Sequence, residues 1–202
     1  MTLTVTMTDC ALTVIAGATR TQTKTIKKEI KMSFLELARE RYSVRSFKKD
    51  PIEREKLEAI IEAGRVAPTA CNNQPQKIYI VKSEDKLRAL SEVCRFTFGA
   101  PMILVVAYDK ERDWKNRLMP GYGSGETDAA IVCTHMMLAA WEQGIGSCWV
   151  GYFNSEDVSR VLGLPESIVV TAMLPIGYPA ENAEPLALHS SFRDRDDTVS
   201  EI

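Results

Sequence analysis

From Thr127 to Gln143 the chain is apolar on nearly every side of a helix, with Ala129, Ile131, Val132, Met136, Met137, Leu138 and Trp141 spread around its circumference. A helix with no polar face does not sit on a protein surface, so this one is expected at the centre of the fold or against a second subunit. A second constraint lies just upstream. The run PMILVVAYD, residues 101–109, is continuously apolar behind a proline, the pattern of a strand covered on both faces.

Helical and strand patterns alternate around these two elements. Ser33-Phe34-Leu35-Glu36 has the form of a capping box at a short first helix. Asp50-Pro51-Ile52-Glu53 repeats a start signal with Pro51 at the first helical position, and Leu57, Ile60, Ile61 and Gly64 follow helical spacing up to Pro68. KIYIVK (77–82) reads as a strand and SEDKLRALSEVC (83–94) as an amphipathic helix. Residues 110–126 form a polar loop carrying Gly121, Gly123 and Gly125, and Gly144 ends the apolar helix. SCWVGYF (147–153) reads as a strand, SEDVSRVLGLP as a short helix stopped by Gly163 and Pro165, and SIVVTAMLPIGYP (167–179) as the last strand. This order predicts an α+β or α/β domain with a central sheet of about four or five strands.

Residues 1–31 differ: they are Thr-rich, lack helical periodicity and end in TKTIKKEIK. They read as an N-terminal extension before a domain of residues 32–202, either a loosely held arm or sequence upstream of the natural start. The apolar run Ala11–Ala18 is too short to span a bilayer.

With a net charge of −2 over 202 residues, the chain lacks the basic character of a general nucleic-acid or membrane binder, so any anion site must be local. Cys10, Cys71, Cys94, Cys133 and Cys148 are odd in number and show no C-x-x-C spacing, which fits buried free thiols in a reducing cytoplasm. His135 and His189 have no metal-ligand pattern and read as structural, so no metal site is expected. No phosphate-binding P-loop motif and no nucleophile elbow is present. GIGSCWVG has Trp149 where a dinucleotide fingerprint needs glycine, and GYGSGE (121–126) lacks a strand–helix context and reads as a mobile loop.

Three stretches remain. In RERYSVRSF, residues 39–47, an extended backbone would put Arg41, Ser43 and Arg45 on one face and Tyr42 and Val44 on the other. Two guanidiniums flanking a hydroxyl suit a phosphate or a planar, oxygen-rich ring; surface pairing with Glu36, Glu40 or Asp50 explains the spacing equally well. APTACNNQPQ (67–76) is a polar loop held between Pro68 and Pro75, with amides on Asn72, Asn73 and Gln74; a plain helix-to-strand connection would also account for it. In GIGSCWVGYF, Gly151 lets the backbone approach a ligand closely.

Taken together and in this order, RYSVRSF, APTACNNQPQKIYIV, DAAIVCTHMMLAAWEQGIGSCWVGYF and LPIGYP resemble the flavin-dependent nitroreductase family over residues 33–179. The resemblance implies an α+β, three-layer fold with a central, mostly antiparallel sheet flanked by helices, dimeric, with FMN in two equivalent clefts at the subunit interface. By position, Arg41 and Arg45 would hold the phosphate and the polar edge of the flavin, with Ser43 adding a hydrogen bond and Tyr42 beside them. Pro68, Thr69, Ala70 and Asn72 would reach the flavin from the partner subunit, with Gln74 lining the cleft. Val150, Gly151 and Tyr152 would lie against the flavin N5 side. Three features depart from the family pattern. Gln76 stands where many members have Trp, Tyr152 stands where small residues are common, and the C-terminal phosphate element survives only as Arg193, or alternatively Arg195.

The resemblance implies NAD(P)H as hydride donor, nitroaromatics, quinones or other flat acceptors as oxidants, and ping-pong kinetics in one shared cleft. No side chain is required as an obligatory acid or base, because the flavin carries the chemistry. Alternatives on the same scaffold are a dehydrogenase, a dehalogenase, a flavin-fragmenting oxidase, or a flavin-binding protein without turnover. Nucleic-acid and membrane partners are not expected.

Overall fold

The computed structural model describes residues 32–202; the expectations for residues 1–31, including Cys10 and the Ala11–Ala18 run, lie outside the described residues. The order of elements is α1 (Phe34–Glu40), α2 (Arg54–Arg65), β1 (Gln76–Val81), α3 (Glu84–Val93), β2 (Met102–Asp109), α4 (Gly125–Glu142), β3 (Gly146–Ser147), α5 (Ser155–Leu162), β4 (Ile168–Gly177) and α6 (Arg195–Thr198). Leu35–Ile202 form one unit. The four strands make a single antiparallel sheet in the order β1-β2-β4-β3, giving an α+β fold.

β2 is the strand that the apolar run requires. Met102, Leu104 and Val106 point to one face and meet α2 and α4 through Ile60, Val132, Met136 and Ala140. Ile103, Val105 and Ala107 point to the other face and meet α3 and α5 through Leu90 and Val158. The result is three layers, helices on sheet on helices. Each large apolar side chain fully buried this way contributes about 1.5–3 kcal/mol.

On β4 the face pattern changes parity. Val170 shares a face with Met173, while Ala172, Leu174 and Ile176 share the opposite one. The register explains this: Val106 pairs with Ala172 and Ala107 with Val170, so Thr171 is the extra residue of a β-bulge. Its Oγ1 is buried without a hydrogen-bond partner.

α4 is central as its composition demands. Ala129, Val132, Cys133, Met136 and Ala140 are fully buried, and α2 approaches so closely that a Cβ on Gly64 would stand 2.8 Å from Met136 Cγ. Among the described residues no helix is long and apolar enough to cross a membrane.

Two elements differ from the pattern read in the sequence. α2 begins at Arg54, three residues after Pro51, and its N-cap Glu53 makes no side-chain cap bond. The Glu53 carboxylate is drawn away by the Tyr178 hydroxyl, which donates to it, and by Lys56 at 3.5 Å. The same hydroxyl accepts from Lys56 Nζ at 2.6 Å, and its bond to Glu53 holds that carboxyl below the usual range. The strand expected over 147–153 is only Gly146–Ser147, with one further bridge at Val150–Met173. Pro175 is the cause. Its carbonyl accepts from the Cys148 amide at 3.2 Å, so its missing N–H would have faced the same edge, and the ladder loses a rung there.

Because Met136 is fully buried between α2 and the sheet, Met136→Ala is expected to lower unfolding free energy by about 2–5 kcal/mol, measured by urea denaturation with an unchanged m-value.

Candidate functional site

The arginine stretch is an extended segment laid against the sheet edge. The Val44 amide donates to Ser147 O at 2.9 Å, the Lys48 amide to Tyr178 O at 2.8 Å, and the Ala180 amide to Ser46 O at 3.0 Å. Val44, fully buried, packs with Phe47 and Ala100. A Cβ on Gly146 would stand 2.7 Å from Val44 Cγ2, so a glycine is required for the segment to seat.

Alternation then sorts the side chains. Tyr42 turns inward: its ring meets Trp141 edge-on at 5.2 Å and its hydroxyl donates to Ala183 O at 2.9 Å. Burial, helped by Glu184, raises this phenol, which keeps it protonated as a donor. Arg41, Ser43 and Arg45 gather instead around Cys148. Burial pushes the Cys148 thiol up, while Arg45, a hydrogen bond with Ser43 and Arg41 pull it down, in that order of size. Among the described residues neither guanidinium is engaged by an acid. Arg45 Nη1 donates to Ser43 O at 2.9 Å, and among the described residues neither Arg41 nor Arg45 pairs with Glu36, Glu40, Asp50 or any other carboxylate.

The second stretch is a strained turn. Cys71, Asn72 and Gln74 have φ of 50°, 54° and 50°, a region non-glycine residues occupy at a cost of about 1 kcal/mol or more each. The Asn72 amide donates to Thr69 O at 2.9 Å, the Gln74 amide to Thr69 Oγ1 at 3.1 Å, and Gln74 Nε2 to Asn72 Oδ1 at 3.2 Å. Thr69 therefore staples the turn from below. Pro68, Asn72 and Gln74 are exposed and Ala70 is half-buried. The Ala70 amide donates to Asp128 Oδ1 at 3.0 Å. Sequence reasoning passes over Asp128; the first turn of α4 carries two carboxylates, Glu126 and Asp128, and nothing in the residue order marks which of them is buried.

The third stretch lies beside the first. Val150 is buried and paired with Met173, whereas Gly151 is exposed. A Cβ on Gly151 would come no nearer than 3.9 Å to any neighbour, at Trp149 Nε1, so the chain's own packing does not require glycine there. Tyr152 is 77% exposed, with its ring edge-on to Phe96 at 5.8 Å and its carbonyl accepting from the Cys94 thiol at 3.8 Å. Gly151 and Tyr152 line a cavity of about 690 Å³ with Cys94, Arg95, Phe153 and Asn154.

The fold thus brings Arg41, Ser43 and Arg45 together at Cys148, two residues before Val150. Among the described residues, no hydrogen bond or ion pair joins the 68–74 turn or Arg193 to that cluster. Arg193 is exposed just ahead of α6, and Arg195 opens that helix. His135 Nδ1 lies 2.9 Å from Ile131 O, and no group of three or more His, Cys, Asp or Glu is placed to hold a metal among the described residues.

The profile of the Nitroreductase family matches residues 38–96 and 94–178. An Archaeoglobus fulgidus protein, whose name pairs NADH dehydrogenase with NAD(P)H nitroreductase, is 33% identical over 153 residues, covering 71% of this chain and 84% of that one. The crystal structure of a nitroreductase family protein from Clostridium difficile 630 superposes with a TM-score of 0.78 at 33% identity, over 84% of this chain and 98% of that one. A structure from Desulfovibrio desulfuricans, solved in complex with FMN, gives a TM-score of 0.70 at 26% identity, over 83% and 95%.

Burial raises the thiols of Cys148 and of Cys133, the latter to about 12, whereas Cys71 is exposed. A raised thiol stays protonated and unreactive as pH rises through the ordinary cysteine range. Iodoacetamide at pH 8 is therefore expected to modify Cys71 and spare Cys133 and Cys148 in the native protein, as read by peptide mass spectrometry.

Proposed function

The chain belongs to the nitroreductase family, and from that premise we propose that it is an FMN-dependent NAD(P)H oxidoreductase acting on nitroaromatics, quinones or similar flat acceptors. The observation that carries the reading is the pair of guanidiniums, Arg41 and Arg45, brought to one place with the Ser43 hydroxyl and left without carboxylate partners among the described residues. Two such guanidiniums beside a hydroxyl are a donor set for phosphate, since each offers two parallel N–H groups and the hydroxyl a third direction. The open space at Gly151 fits the same ligand, because a ring can lie against backbone where no Cβ intervenes.

In this assignment Arg41, Ser43 and Arg45 hold the phosphate and polar edge of FMN, and Arg193 closes the phosphate end. Val150, Gly151 and Tyr152 supply the wall beside the reactive edge of the ring. Pro68, Thr69, Ala70, Asn72 and Gln74 serve the cleft of a partner subunit, which accounts for a strained, exposed polar turn unconnected to the arginine cluster of its own chain. The proposed assembly is a homodimer with two shared clefts.

Bound FMN would supply the redox chemistry, taking hydride from NAD(P)H and passing electrons to the acceptor. The chain's part is electrostatic and steric. Arg41 and Arg45 place fixed positive charge where negative charge accumulates on reduction, which stabilises the reduced cofactor. Gly151 leaves the ring face accessible, while Tyr152 and Phe96 narrow the approach to flat molecules. Donor and acceptor would use the same opening in turn, which gives a ping-pong rate law.

Arg41→Ala is expected to weaken FMN binding by about 1.5–3 kcal/mol, the scale of a lost charge-assisted bond, or roughly 12- to 150-fold in Kd. Quenching of flavin fluorescence on titrating apoprotein measures this. The wild-type protein should give parallel double-reciprocal plots with NAD(P)H and a benzoquinone. Purified protein that is colourless and stays so after FMN is added refutes the assignment.

A further inference from the structure

Asp128 is the odd residue of α4. It is 2% exposed, and both its oxygens are engaged: Oδ1 accepts the Ala70 amide at 3.0 Å and Oδ2 the Ser124 hydroxyl at 2.8 Å. Burying a carboxylate costs several kcal/mol unless its bonds offset the lost hydration, so the position is not explained by packing.

The Ala70 bond gives a reason. Ala70 opens the turn in which Cys71, Asn72 and Gln74 hold left-handed backbone, a conformation that persists only where the surroundings over-determine it. Most of the other bonds of this turn tie it to itself, through Thr69 and Asn72. Asn73 Nδ2 reaches only the carbonyl of exposed Arg112, at 3.3 Å. Of these side-chain bonds, the one to Asp128 alone fastens the turn to a buried element. The same carboxylate reaches the 110–124 loop through Ser124, whose Oγ lies 3.4 Å from Asp113 Oδ1. Asp113, with a side chain 4% exposed, holds Lys115 at 2.7 Å.

We propose that Asp128 is a positioning residue for the cofactor, acting through the Ala70 amide to hold Asn72 and Gln74 in the conformation that presents them to FMN. The inference rests on the FMN reading, and its test separates the two. Hydrogen exchange of the apoprotein reads the turn without any ligand, and FMN titration reads the consequence.

In Asp128→Ala, the amides of Asn72 and Gln74 should exchange about tenfold faster or more while those of β2 and β4 are unchanged, and the FMN Kd should rise about tenfold. Asp128→Asn keeps an oxygen for the Ala70 amide and should stay within about threefold of wild type on both readouts. Asn72→Ala should weaken FMN binding about fivefold in the wild-type background and have no further effect in Asp128→Ala, because the two act as one unit. Additive losses, unchanged exchange at 72 and 74, or acceleration spread through β2 and β4 would each overturn the proposal.

If Asp128→Ala does not fold, Ala70→Pro removes the donated proton from the turn alone. Thr69, at φ −132° and ψ 156°, already has the backbone that precedes a proline. The same two amides should then exchange faster and FMN binding weaken, and their indifference overturns the proposal. A wild-type chain that binds no FMN refutes the flavin assignment; a turn that ignores Asp128 refutes the positioning role.

Discussion

The backbone bond from Val44 to Ser147 sets the register of the site. One hydrogen bond of 2.9 Å, made possible because Gly146 has no side chain to collide with Val44, fixes which residues of the 41–47 segment face the core and which face away. A slip of one residue would bury Arg45 and expose Val44, since alternation in extended chain has period two. The total burial of Val44 therefore guards the arginines: the core selects the only register in which both guanidiniums and the Ser43 hydroxyl converge.

The rest of the architecture serves that edge. β2 and β4 supply the rigid centre because both of their faces are covered, by α2 and α4 on one side and by α3 and α5 on the other. α4 then has two roles. Its apolar body closes the core, and its first turn carries the one buried carboxylate to which the 69–74 turn is fastened. Strain in that turn and order in the helix are parts of one arrangement, in which a stable element holds an unfavourable conformation in place.

Much of this was legible in the sequence, and the exceptions share a cause. α4 and β2 could be read because burial on all sides leaves an unambiguous apolar signature. The alternation of Arg41, Ser43 and Arg45 could be read because it is local. The start of α2 could not, because Glu53 is claimed by Tyr178, far along the chain. The end of β3 could not, because Pro175 removes a rung from the opposite strand. The face pattern of β4 was hidden by the bulge at Thr171. Asp128 was missed because its partner, Ala70, is only a backbone amide and leaves no mark of its own in the residue order.

The way the chain leaves the sheet after Val150 has a consequence for how such a protein can change over time. After Ser147 the chain is tied to β4 only at Cys148 and Val150, and nothing in the sheet dictates the shape of the segment beyond them. Substitutions at 151 and 152 fall on exposed positions that carry no rung of the sheet, so they should cost the scaffold little stability. Sequence there can drift with little loss of order, because the rung before it, Val150 with Met173, is already closed in both directions.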